Sequence, residues 1–136
     1  EKSLANTACA ITALVNSYRH RNEENLIIPR LHACEKWICS SNWEDSFEIY
    51  HRSCTFNGHT INDITQFSQY TAPECITALL TLGHNKKDPL IVNQLLSIIS
   101  SRKNGMWSFP INSSIYQMWV THEILMCIDV YKNAPG

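Results

Sequence analysis

The sequence predicts an all-α fold, on three observations. Ile11-Thr12-Ala13-Leu14 recurs as Ile76-Thr77-Ala78-Leu79, and Trp119 to Tyr131 reads as a divergent third copy. Apolar residues fall at three- and four-residue spacings through most of the chain, the period of a helix with one buried stripe. No stretch shows an alternation that demands a β-strand. A repeated helical unit hides its apolar face only against its neighbours, so the copies are expected to stack.

Each element has its own signal. Leu4, Ala8, Ile11, Leu14, Val15 and Tyr18 lie on one stripe of a helix from about Ser3 to His20, whose carboxyl end gains cations from Arg19-His20-Arg21. Asn22 to Asn25 is turn-like. A second helix is expected from about Leu26 to Ser40, with Pro29 in its first turn, where a missing amide is tolerated, and Leu31, Cys34, Trp37 and Ile38 facing inward. From Ser41 to Phe67 the helical period fades; Asn57-Gly58 marks a turn, and an irregular segment of this length suggests a lid.

Beyond it, Thr71-Ala72-Pro73-Glu74 is written as a capping box with a first-turn proline, and Gly83 stops that helix after Leu82. Asp88-Pro89 opens a fourth helix through Leu90, Val92, Leu95, Leu96, Ile98 and Ile99, ending before Asn104-Gly105. Pro110 to Ser114 leads into a final helix reaching about Lys132.

Composition excludes several classes. With 11 basic and 12 acidic residues among 136, the chain has no broad electrostatic footprint for nucleic acid or an anionic membrane. No apolar run reaches the roughly 20 residues of a membrane span, and Glu1 to Asn6 does not read as a secretory signal, so a cytoplasmic location is expected. Of the six cysteines, five sit in helical apolar patterns, which favours buried thiols over disulfides. The length fits one domain over residues 1–136.

The copies align with offsets of 65 and then 49 residues: Ile11, Ala13 and Leu14 fall on Ile76, Ala78 and Leu79 and then on Leu125, Cys127 and Ile128, with Tyr70 on Trp119 and Glu74 on Glu123. The linkers repeat too, Trp37-Ile38-Cys39-Ser40 leading to Asp45-Ser46-Phe47 as Leu95-Leu96-Ser97-Ile98 leads to Gly105-Met106-Trp107-Ser108-Phe109. This pattern resembles the repeats of the α/α-toroid superfamily of terpene cyclases, squalene-hopene cyclases and protein prenyltransferase β-subunits. The resemblance implies antiparallel helical hairpins forming part of an α/α toroid, with the chain a segment of a larger ring. It also implies an isoprenoid or other hydrophobic ligand. Two departures stand out: Ser101 and Asn42 occupy the places of the repeat's glutamine, and the Asp-x-Asp-Asp acid cluster of class II cyclases is absent.

Cyclisation chemistry needs an acid, aromatic faces for migrating positive charge, and a dry cavity. Tyr70, Trp107, Tyr116 and Trp119 offer the faces, Glu123 or Glu74 the carboxyl group; packing between helices is the plainer role for the same aromatics. His122-Glu123 begins a metalloprotease-like helix motif, but position 126 is Met, leaving a small hydrolase centred on His122 and Glu123 as a minor reading. His51, Cys54, His59 and Asp63 have ligand chemistry without a zinc-site spacing, so neither metal nor cofactor is expected. The expected partners are a hydrophobic small molecule and either a second chain or the rest of a larger one. The alternative is a non-enzymatic helical module that binds a protein.

Overall fold

The computed structural model describes residues 3–43, 47–107 and 114–136, of which 47–52, 54, 62–69 and 114–117 are described by their backbone. The chain is mostly helical: α1 (Leu4–His20), α2 (Glu24–Ile27), a 3₁₀ turn (Ile28–Leu31), α3 (His32–Ser40), α4 (Thr71–Leu82), α5 (Pro89–Ser100) and α6 (Ser114–Asn133). Helix α1 starts where expected because the Ser3 side chain accepts from the Asn6 amide at 2.9 Å. The second predicted helix is broken in three. Pro29 lies in the 3₁₀ turn, where its missing amide tightens the chain between α2 and α3 instead of opening one continuous helix.

The largest departure is the stretch expected to be irregular. Phe47–Phe56 (β1) and His59–Tyr70 (β2) form an antiparallel hairpin, with Phe56 paired to His59 across the two-residue turn Asn57-Gly58. Both turn residues have positive φ, 49° and 75°, as the tight hairpin turn requires. Register shifts after Tyr50 and after Arg52 bend the ribbon. The β-branched and aromatic residues flanking Asn57-Gly58 favour extended chain locally, and this outweighs the absence of clean alternation.

Helix α4 spans Thr71–Leu82 as predicted, ending at Gly83 in the left-handed conformation. The predicted capping box does not form: Tyr70 is the N-cap, and no side chain caps the helix from that position. At α5 the prediction holds, with Asp88 accepting from the Leu90 amide at 2.9 Å.

The core lies where α1, α4 and α6 meet. Helix α4 packs on both α1 and α6, and Ile11, Ile76, Leu79, Ile124 and Val120 are buried together. At an upper-end value of about 3 kcal/mol for each fully buried aliphatic side chain, this layer dominates the stability. The outer helices are tied to it by matching tryptophans: Trp43 Nε1 donates to the Ile38 carbonyl at 2.9 Å, and Trp107 Nε1 to the Ile98 carbonyl at 2.7 Å. Trp43 is thus the counterpart of Trp107 in the first linker, ahead of Asp45-Ser46-Phe47, of which positions 45 and 46 lie outside the described residues. The buried-thiol expectation is corrected in part: Cys75 and Cys127 are buried, Cys9 and Cys34 half-buried and Cys39 exposed.

Candidate functional site

Equivalent positions of the three repeated helices meet in a row. The offsets of 65 and 49 residues carry Cys9 to Glu74 and Glu74 to Glu123. In space the Cys9 thiol donates to Glu74 Oε2 at 3.2 Å, and the charge of Glu74 acts directly on Glu123. The backbone amide of Tyr70, at the N-cap of α4, donates to the Glu123 carboxyl group. The second oxygen, Oε2, is buried with no hydrogen-bond partner among the described residues. Buried polar atoms are normally satisfied, so an orphaned carboxyl oxygen calls for an explanation.

The electrostatics follow from this placement. Burial is the main reason that the Glu123 carboxyl is pushed up to about 7, with repulsion from Glu74 second; the Tyr70 amide works the other way. Glu123 is therefore about half protonated at neutral pH. Cys9 is pushed up to about 12, chiefly by burial and then by Glu74, and Cys127 also to about 12 by burial. Neither thiol is a nucleophile near neutral pH.

One turn along the same helices, Thr12 Oγ1 is likewise buried without a hydrogen-bond partner among the described residues. It lines a groove of about 450 Å³ shared by α1, α4 and α6, together with Asn16, Arg19, Thr77 and Thr81 on the first two helices and Val130 on the third. Arg19 spans the groove by donating to the Thr81 carbonyl at 2.9 Å. The surface that the repeats share is thus partly polar, where the sequence reading emphasised apolar stripes. A second cavity of about 480 Å³ lies between α1 and α3, lined by Ile11, Leu14, Leu31, Cys34 and Trp37 among others.

The candidate residues divide accordingly. Tyr70 and Trp119 are half-buried and packed against the core; Trp119 precedes Glu123 by one turn, on the same face of α6. Tyr70, Glu74, Trp119 and Glu123 belong to one neighbourhood. His122 is exposed, since adjacent helix positions point about 100° apart, and it does not join the row. Trp107 stands apart as a buried anchor: its ring nitrogen is bonded to Ile98, its backbone amide donates to Thr121 Oγ1 at 3.2 Å, and the Arg102 guanidinium lies 5.3 Å from its ring centre. The side chain of Tyr116 lies outside the described residues, as do those of His51, Cys54 and Asp63. Among the described residues no group of three histidine, cysteine or acidic side chains is placed to hold a metal ion. No helix of the described residues is long and apolar enough to cross a membrane.

Sequence reasoning missed Cys9, although the offset that pairs Glu74 with Glu123 also leads to it. It also missed the pairing of Glu35 with His32 at 2.7 Å and His84 at 2.6 Å, which joins α3 to the α4–α5 turn. That pair is separated by 49 residues and announced by no motif.

Comparison of the chain with protein-family models, curated proteins and solved structures returns no match.

Proposed function

We propose that this chain is a terpene cyclase-like α/α-toroid segment whose shared helix surface holds a predominantly hydrophobic ligand with one polar end. An isoprenoid is the ligand class that the resemblance implies. The observation carrying the proposal is the buried Oε2 of Glu123, without a hydrogen-bond partner among the described residues, next to a repelling carboxylate and one helical turn after the half-buried Trp119. A polar group on a ligand would supply the missing partner, while the indole offers it an apolar face. Serial tryptophan-anchored hairpins around the row α1, α4, α6 favour the toroid-like reading.

The chemistry available to Glu123 is limited by its own acidity. Protonating an alkene needs a strong acid, and a carboxyl group pushed up to about 7 is a weak one. Glu123 is suited to exchanging a proton with a hydroxyl, carbonyl or amine group near neutral pH, and the absence of the Asp-x-Asp-Asp cluster agrees with a binding role. Thermal unfolding with and without a long-chain prenyl alcohol tests this. A ligand that binds the folded state raises the melting temperature, and the rise should shrink in Trp119→Ala. An unchanged melting temperature would remove the ligand reading and leave the protein-interaction module.

A further inference from the structure

The offsets of 65 and 49 residues allow each helix face to be followed through the row α1, α4, α6. On α1, Ala8, Ile11 and Val15 are buried, and the same positions on α4, Pro73, Ile76 and Leu80, are buried as well. On α6 these positions are His122, Leu125 and Asp129, and all three are exposed. Leu125 is 53% exposed, against 1% for Ile11 and 0% for Ile76.

The opposite face shows the reverse order. Cys75 and Ala78 on α4 and Ile124 and Cys127 on α6 are buried, while their counterparts Ala10 and Ala13 on α1 are exposed. Leu14 is 40% exposed where Leu79 is at 0%. Among the described residues, α1 therefore has no predecessor and α6 no successor. Each end of the row presents one half of an interface that the chain builds twice internally, α1 on α4 and α4 on α6.

We propose that these end faces bind each other between two copies of this chain, α6 of each copy against α1 of the other. A second copy is the partner that carries the required complement, because its α1 presents the type of face, borne internally by α4 and α6, against which α1 and α4 already pack. Ala10 and Ala13 allow close approach of helix backbones, as Ala5 and Ala8 do on the buried side of α1. His122, polar where the internal copies are apolar, finds a hydrogen-bonding hydroxyl on the exposed Ser17 beside Ala13. A head-to-tail contact made twice about a two-fold axis uses each face once and closes on itself.

Sedimentation of the full chain at micromolar concentrations should give twice the 15.6 kDa mass of one chain. Leu125→Arg and Ala13→Arg each spoil one face at an exposed position, so each should stay folded, with an unfolding temperature that no longer depends on protein concentration, and run as a monomer. Mixing the two variants restores one of the two contacts, because the intact α6 of one meets the intact α1 of the other. Dimer should reappear in the mixture alone, with affinity at least tenfold below the parent. A parent chain that stays monomeric, a dimer that neither substitution disturbs, a mixture that stays monomeric, or a series of ever larger species would each overturn the proposal.

Discussion

Glu123 and Glu35 are the same residue placed between helices in two different ways, and their acidities move in opposite directions. Glu35 accepts from His32 and His84 at 2.7 and 2.6 Å, and these partners, His32 first, hold its carboxyl below the usual range despite some burial. Glu123 has one backbone donor, one oxygen unsatisfied among the described residues and a second carboxylate nearby, and it is pushed up to about 7. The joint between α3 and the α4–α5 turn is electrostatically complete. The row on α1, α4 and α6 is not, and incomplete polar groups are where ligands and partners are accommodated.

The comparison breaks first if burial is not the main cause at Glu123. Ile124 is fully buried beside it in sequence, and Ile124→Ala should cost about 3 kcal/mol in chemical denaturation. Water entering the loosened layer should bring the Glu123 midpoint back toward the ordinary carboxylate range. A large loss of stability with an unmoved midpoint would show that the cavity stays dry and that Ile124 packing does not set the acidity of Glu123.

Next in size is the pH dependence that Glu123 imposes. Its folded value, about 7, lies above the ordinary 4.5, so between these limits the folded state binds more protons than the unfolded one. Stability must then fall as pH rises across that window, by about 2 kcal/mol after allowance for solvent screening. Glu123→Gln should flatten this limb of a pH series of denaturant melts.

Glu74→Gln isolates the second cause. With the neighbouring charge gone, the Glu123 midpoint should drop yet remain above 4.5, because burial, the larger cause, is unchanged. Carboxyl resonances followed by NMR report this directly. The smallest effect belongs to the half-buried Glu35–His84 pair: the depressed Glu35 contributes stability above its unfolded value that is lost as pH falls through the folded one. His84→Gln should remove about 0.5 kcal/mol at neutral pH and soften the acid limb below pH 4.5, leaving the limb governed by Glu123 in place.

Much of the helical layout was legible because its signals are local. Ser3, Asp88-Pro89 and Gly83 mark helix ends through short-range chemistry, and the apolar period of α1, α4 and α5 is regular. The hairpin was hidden because its strands lack a clean apolar alternation, although Asn57-Gly58 lies at its turn. The capping box at Thr71 failed for a tertiary reason: Glu74, which it needed, instead accepts the Cys9 thiol from 65 residues away. At the site, Glu74 and Glu123 were legible through the repeat, and Tyr70 and Trp119 with them. The Glu35–His84 pair was not, since no period or motif relates α3 to the turn before α5.

The central claim is that Glu123 is held half-protonated at neutral pH by its place in the row of repeated helices. A carbon-13 NMR titration of glutamate side-chain carboxyl groups, with Glu123→Gln identifying the resonance, tests it most directly. A midpoint near 7 is expected. A midpoint at the ordinary 4.5 would contradict it.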